Sequence, residues 1–464
     1  MKIFLALPPH SLVDRYNKAI AKAAGSFPPL GLLYLAAVLR AKGHKVQVCD
    51  GSMEDYNTML ARMRAFQPDL LGFSTMAFLW HSTKEMIAQI RKEFPNTYIA
   101  LGGNHATNYK KACLAESPES DLIMFGECEE TVVEVADAIE RKLPFENIKG
   151  LIFRNESKTI QTADRPLIQN LDSLPSPARD LVNINDYVPA IEQYKRLPVT
   201  NLMSSRGCPF RCTFCTQRQT GMRMRSAQNV FEEIRELVHN YKIKEIAFWD
   251  DTFTLNRSRV MEIAKLIKES KLDIIWSMQA RVNTVDRELL KNIASAGCWK
   301  IFYGVESLVQ KNLDKVKKDI TVSQAFDAIR WTREAGIESE ASFIFGIPGE
   351  TYEEALTTMN LAIKLNPSYA KFFQHTFFEG MAREDIENEG IIIGDDLQGA
   401  TGNSVTFVPH TMSHAQLASL VPRAYKKFYM RPAYIINYFK KIRSIEDIKR
   451  AVRGAQAVLS LGKK

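Results

Sequence analysis

From residue 1 to 145, short apolar runs alternate with helix-length amphipathic stretches. Lys2–Leu7, Lys45–Cys49, Leu70–Ser74, Tyr98–Leu101 and Leu122–Phe125 are mostly continuous in apolar residues rather than alternating. That pattern predicts strands of a parallel sheet buried on both faces. Leu30–Lys42 and Thr83–Glu93 carry a helical period, stopped by Gly43 and by Pro95. Strand and helix in repeated order predict a doubly wound α/β domain, with its ligand beyond the carboxyl ends of the strands. A hairpin signal at Gly150–Arg154 and Thr159–Thr162, then Pro166, Pro175, Pro177, Pro189 and Pro198, predict a linker over 146–198.

A second alternation begins at Val199. Strands are expected at 199–205, 245–250, 274–280, 300–305, 338–345 and 369–377. Helices are expected at 229–241, 257–270, 286–296, 321–335 and 351–365. Six such units predict a partial barrel over 199–380 rather than a closed eight-stranded one. Residues 381–464 predict a small, mainly helical region. A short helix is expected at Asp385–Gly390, and Pro432 opens another with Tyr434, Ile435, Tyr438, Phe439 and Ile442 on one face, beside Lys440, Lys441 and Arg443.

Composition narrows the class. With 464 residues, 45% hydrophobic and 25% charged, the chain has ample core for several domains, which excludes disorder and a disulfide scaffold. No apolar run reaches the ~18 residues of a membrane span. MKIFLALPPH lacks the apolar core of a secretory signal, so a cytoplasmic protein is expected. The net charge of +8 is uneven: of the 61 basic and 53 acidic residues, 12 and 2 respectively lie from Val421 onward. Basicity therefore belongs to the tail. A basic amphipathic helix there either docks on its own domain or makes a peripheral membrane contact. No recognised module supports a nucleic-acid partner.

Three of the seven cysteines, Cys208, Cys212 and Cys215, fall within eight residues with C-x₃-C-x₂-C spacing, directly after the first strand of the second alternation. Thiolates this close suit a soft metal or an iron–sulfur cluster. A structural zinc site calls for four ligands, and the next Cys or His are the distant His239 and Cys298. Three ligands on a 4Fe-4S cluster leave one iron open. The alternative is three incidental buried thiols.

RGCPFRCTFC (Arg206–Cys215) resembles the signature of the radical S-adenosylmethionine superfamily. The likeness continues through WDDTF (Trp249–Phe253), ARVNT (Ala280–Thr284), GVES (Gly304–Ser307) and FGIPGET (Phe345–Thr351). It implies a 4Fe-4S cluster whose open iron chelates S-adenosylmethionine. An electron from an external donor such as ferredoxin or flavodoxin then yields a 5′-deoxyadenosyl radical. Asp250, Asp251, Glu306 and Ser307 are candidate acceptors for its ribose and ammonium. Arg281 is a fork for its carboxylate, Gly346 and Gly349 permit close backbone approach to its adenine or ribose, and Pro348 is a further candidate contact. The alternatives are a structural ion pair for Arg281 and Glu306, and a helix N-cap for Asp250 and Asp251. Cys298, Ile301 and Tyr303 are expected in the barrel core.

LPP (Leu7–Pro9), PPLGLLYLAAVLRAKGH (Pro28–His44), GFST (Gly72–Thr75), GGNHAT (Gly102–Thr107) and FGECEET (Phe125–Thr131) resemble the cobalamin-binding domain of cobalamin-dependent radical enzymes. The resemblance makes Pro9, His10, Ser74, Thr75, Met76, Gly102, Gly103, His105, Gly126 and Glu127 candidate cobalamin contacts. Loop or packing roles are the alternative for His10, Met76, His81 and His105. The D-x-H-x-x-G motif that supplies an axial imidazole is absent: Arg15 and Tyr16 follow Asp14. A dinucleotide site would call for G-x-G-x-x-G after the first strand, which is missing.

Both cofactors together imply C-methylation of an unactivated carbon by way of methylcobalamin. The alternatives are radical cyclisation, ring contraction or oxidation without methyl transfer, or a non-catalytic cobalamin or metal sensor. The substrate class stays open among small molecule, lipid and peptide. Relatives carry P-x-P-G-T after the sixth strand, whereas this chain has Thr376–Glu379. His375, Phe377, Phe378 and Glu379 are therefore candidate substrate-side residues.

Overall fold

The computed structural model describes residues 1–15, 21, 24–155, 158–379, 381–393, 405–439 and 445–460. They fall into two compact units, the first built mainly from Met1–Arg15 and Pro28–Asp186, the second from Tyr187 onward.

In the first unit, β1 (Lys2–Leu7), β2 (Lys45–Asp50), β3 (Leu70–Ser74), β4 (Tyr98–Gly102) and β5 (Leu122–Met124) pair in parallel, in the order β2-β1-β3-β4-β5. Helices α1 (Leu30–Ala41), α2 (Tyr56–Phe66), α3 (Trp80–Glu93), α4 (Gly103–Tyr109) and α5 (Glu129–Arg141) intervene. Successive strand residues feed two separate cores: Ile3, Leu5 and Val48 join α1 and α5, while Phe4, Ala6 and Cys49 join α2 and α3. Burial on both faces is why these strands are mostly continuous in apolar residues. The strand order reverses at β1, so the crevice for a ligand opens between the carboxyl ends of β1 and β3.

The stretch expected to be a linker is different. β6 (Leu151–Asn155) pairs antiparallel with β5, and β7 (Lys158–Gln161) with β6, extending the sheet to seven strands. Leu151 and Phe153 enter the core. The unit accordingly runs to Asp186, because apolar strand residues bury more surface on the sheet than in a free linker.

In the second unit, β8 (Val199–Leu202), β9 (Glu245–Phe248), β10 (Ile275–Ala280), β11 (Cys298–Glu306), β12 (Glu338–Phe345) and β13 (Tyr369–Gln374) form an all-parallel sheet in chain order. Right-handed crossovers then place α6 (Ala227–Tyr241), α7 (Arg257–Ser270), α8 (Arg287–Ser295), α9 (Val322–Glu334) and α10 (Tyr352–Leu365) on one face. β8 and β13 do not pair, which leaves the (β/α)₆ barrel open. As expected, Cys298, Ile301 and Tyr303 are buried.

The edge of β13 is covered. In α11 (His414–Tyr429) the Tyr429 hydroxyl accepts from Ala370 N at 2.9 Å and donates to Ala370 O at 2.8 Å. In α12 (Pro432–Phe439) Tyr434 donates to Ser368 O at 3.1 Å. These hydroxyls satisfy backbone groups that an edge strand otherwise leaves open. Lys440, Lys441, Ile442, Arg443 and the end of the expected short helix at Gly390 differ in standing: the first four lie outside the described residues, and Gly390 begins a short strand paired with Phe407–Pro409. No described helix is long and apolar enough to cross a membrane.

Candidate active site

The cysteine loop leaves the barrel after β8 and returns through a two-residue antiparallel ladder, Ser205–Arg206 with Arg223–Met224. Gly207 opens it at φ +86, where a Cβ would lie 2.4 Å from Gly221 O, so only glycine fits. Inside, Cys208 N donates to Thr220 Oγ1 (2.9 Å), Gln219 N to Phe210 O (2.8 Å) and Cys215 N to Cys212 O (3.2 Å). All three thiols are unbridged. Burial raises the Cys208 thiol and pushes Cys215 up to about 11, so holding these thiols as thiolates calls for cationic or metal partners. Among the described residues no three Cys, His or acidic side chains converge as a single ion requires. Three soft sulfur donors on one short loop are the donor set an iron–sulfur cluster takes.

Around the loop the expected ligand residues divide. Asp251 is exposed, and its charge reaches Cys208 and Cys215. Crowding and then the neighbouring Asp250 charge raise its own carboxyl. Asp250 is buried, accepts from Ser204 Oγ at 2.8 Å and from Ser205 Oγ, and faces Arg259. Neither aspartate caps α7; Asn256 does, accepting from Arg259 N. Ser307 is buried against Thr358 (3.1 Å) and accepts from Val309 N (3.2 Å). Glu306 has φ +68 at a register shift between β11 and β12, a left-handed backbone that costs about 1–2 kcal/mol. It pairs with buried Lys318 (2.9 Å) and accepts from Ser342 (3.1 Å). The ion-pair alternative is thus the one the structure displays for Glu306, and Asp250 and Ser307 hold loops in place. Arg281 turns toward Cys212 and the Lys318 carbonyl.

Gly346 is at φ +78, beside Leu417 and buried Pro348. Its N–H donates to Glu350 (2.7 Å), a carboxyl that burial pushes up to about 8. Sequence reasoning missed Lys318 and Glu350. Lys318 lies in a lysine-rich run that reads as solvated surface, and nothing local marks it as buried. Among the substrate-side candidates, Glu379 pairs with Arg383 (3.0 Å), Phe377 is buried and Phe378 is half-buried. His375 is buried edge-on to Phe407, both ring nitrogens lack partners among the described residues, and burial lowers it to about 4.

In the first unit the crevice between β1 and β3 brings His10 near Phe78 (ring centres 6.1 Å apart). His10 Nδ1 lies 3.0 Å from Pro8 O, and its Nε2 is buried without a partner among the described residues. Ser52 Oγ, in the strand-end segment beyond adjacent β2, is also buried with no partner among the described residues. A Cβ on Gly126, at φ +78, would meet only open space. The unspent polar atoms of His10 and Ser52 fit the amide rim of a macrocycle such as cobalamin. Pro9, Ser74 and Met76 are half-buried at the same strand ends. Thr75 is spent internally, its hydroxyl donating to Gly102 O (2.7 Å) and accepting from Ala106 N (3.2 Å). Gly103 approaches Thr75 closely, and Glu127 accepts from Ile168 N (2.9 Å). His105 shows the packing alternative: it is buried, stacked on Tyr109 (4.5 Å) and tilted against Trp80 (4.7 Å), and burial lowers it to about 4. His81 is exposed beside Glu85.

Comparison with known proteins supplies the context. The profile of the Radical SAM superfamily matches residues 202–362, and that of the B12 binding domain matches 16–136. An uncharacterized methyltransferase of Pyrococcus horikoshii is 35% identical over 464 residues, covering 98% of each chain. The anaerobic magnesium-protoporphyrin IX monomethyl ester cyclase of Cereibacter sphaeroides is 30% identical over 441 residues, 90% of this chain and 69% of that one. Among solved structures, the radical S-adenosylmethionine methyltransferase TsrM of Kitasatospora setae, with cobalamin and a [4Fe-4S] cluster bound, superposes with TM-score 0.72 at 17% identity over 99% of each chain. OxsB with aqua-cobalamin gives 0.75 at 17% identity, over 99% of this chain and 72% of that one.

Proposed function

The chain belongs to the cobalamin-binding radical S-adenosylmethionine enzymes, and from that premise we propose that it methylates an unactivated carbon of its substrate. The observation that carries this reading is the pairing, in one chain, of an open three-thiol loop with a switch-point crevice that retains unpartnered polar atoms. Similarity to a relative named a methyltransferase over 98% of both chains supports it. When bound, the cofactors supply a carbon-centred radical and a transferable methyl group; the protein supplies binding, orientation and water exclusion.

Cys208, Cys212 and Cys215 would hold the cluster, and Asp251 would accept from the ammonium or ribose of S-adenosylmethionine. Gly346 and Pro348 would border it, with Glu350 fixing that loop through Gly346 N. His10 and Ser52 would give hydrogen bonds to cobalamin amides, and Pro9, Ser74, Met76 and Gly126 would line its rim. His375, just past the carboxyl end of β13, would meet the substrate, a small molecule, lipid or peptide. An external one-electron donor of the ferredoxin or flavodoxin kind is required.

The similarity to the magnesium-protoporphyrin cyclase favours a second reading, ring formation without methyl transfer. Anaerobic turnover with methyl-labelled S-adenosylmethionine, hydroxocobalamin and a low-potential reductant separates the two. Methylation yields S-adenosylhomocysteine together with 5′-deoxyadenosine and labelled product. 5′-Deoxyadenosine without S-adenosylhomocysteine sinks methylation in favour of cyclisation.

The tail carries a separate role, contact with an anionic bilayer. α13 (Ile445–Ser460) turns Gly454 and Ala457 inward, Gly454 lying against Ile191, while Ile448, Val452 and Leu459 stand about half exposed along one stripe. Lys449 and Arg453 flank that stripe, and the basic excess from Val421 onward complements anionic headgroups. On α12, Tyr434 is docked but Ile435 and Ile436 are exposed.

A further inference from the structure

Arg281 is 5% exposed, and no carboxylate among the described residues pairs with it. A buried guanidinium without a counter-charge is costly, so its setting must supply negative charge in the functional state. The directions of its nitrogens show where. Nη1 points to Cys212 Sγ at 3.7 Å, Nη2 donates to the Lys318 carbonyl, and Nε lies 3.3 Å from Asn283 Oδ1. The guanidinium carbon lies over the Phe210 ring, 3.6 Å from its centre, and Phe210 stands between Cys208 and Cys212 in the loop. Lys318 cannot take the same role, because Glu306 neutralises it at 2.9 Å. Asn283 in turn donates to Asp319 O at 3.2 Å, fixing the fork from the other side.

We propose that Arg281 is a positioning residue of the cluster: it donates to the Cys212 thiolate and raises the potential at which the cluster accepts its electron. The inference rests on the cluster assignment above. Reduction adds negative charge, and a buried cation beside a ligating sulfur stabilises the reduced form more than the oxidised one. The sulfur-directed hydrogen bond acts in the same sense. Phe210 and the Lys318 carbonyl hold the guanidinium plane, so the interaction depends on the fork and not on charge alone.

The test is anaerobic potentiometric titration of the reconstituted full chain, followed by electron paramagnetic resonance, for wild type, Arg281→Gln and Arg281→Lys. Iron and sulfide content are measured beside it. Wild type that loads no four-iron cluster overturns the cluster assignment itself. With iron content matched, Arg281→Gln is expected to weaken reduction at least tenfold, a fall of about 59 mV for one electron. Arg281→Lys falls less, since it keeps charge but loses the fork. An unchanged midpoint in a fully loaded Arg281→Gln overturns the proposal. If that midpoint is unchanged while the spectral response to added S-adenosylmethionine weakens, Arg281 is instead the partner of the ligand's carboxylate. Where Arg281→Gln loses iron, Arg281→Lys decides: its midpoint must still fall below wild type, and equality overturns the inference.

Discussion

Replacing Lys318 by Met tests whether Glu306 is committed to an internal ion pair or stands ready for a ligand. The two side chains are 7% and 9% exposed, their charged atoms are 2.9 Å apart, and Ser342 takes up the other carboxylate oxygen at 3.1 Å. Removing one partner strands the other charge in a low-dielectric site, which costs about 3–5 kcal/mol. Glu306→Gln alone leaves Lys318 unpaired and costs a similar amount. The double variant Glu306→Gln/Lys318→Met leaves no stranded charge, so its cost falls below the sum of the singles by about 2–3 kcal/mol. Urea unfolding of the cluster-free chain measures this, read by fluorescence of Trp276 and Trp299 in the same sheet as Glu306. Lys318→Met costing under about 1 kcal/mol, or single costs that simply add, refutes the reasoning and frees Glu306 for a ligand.

Two further expectations concern pH and membranes. His105 and His375 are held near 4 against an ordinary 6.5, so between those values the unfolded chain binds more protons than the native one. Stability is then fully present above pH 6.5 and is lost as pH falls toward 4, by on the order of 3 kcal/mol per histidine. Glu350, pushed up to about 8, acts in the opposite sense, losing its contribution as pH rises from 4.5 to 8. Urea midpoints at pH 7 and 5 for wild type and His105→Phe should differ less in the variant; equal slopes count against the buried-imidazole account. For the tail, Ile448→Ser/Val452→Ser/Leu459→Ser should abolish co-sedimentation with phosphatidylglycerol vesicles while leaving the circular dichroism unchanged. Retained binding, or equal binding to neutral phosphatidylcholine vesicles, removes that role.

Much of the architecture could be read without coordinates, because its signals are local. Continuous apolar runs mark strands buried on two faces, and Gly43 and Pro95 end helices by backbone geometry alone. The helix expected at 257–270 forms over those residues, and the spacing of Cys208, Cys212 and Cys215 marks a candidate ligand set because the three share one loop. The hairpin at Leu151–Gln161 was legible as a hairpin but not as part of a sheet, since pairing with β5 joins residues distant in sequence.

Side-chain commitments were decided only by the fold. Asp250, Glu306 and Ser307 carry the chemistry a ligand would use, yet tertiary packing engages them with Ser204, Lys318 and Thr358. The tail's basicity is visible from composition, whereas the outward apolar stripe of Ile448, Val452 and Leu459 emerges only where Gly454 of α13 lies against Ile191. Sequence determines which groups are available and where backbone must turn. Whether a buried charge meets a counter-charge, a thiolate or nothing depends on neighbours brought together across the barrel, and the cost of burying it unpaired is what makes tertiary structure decisive.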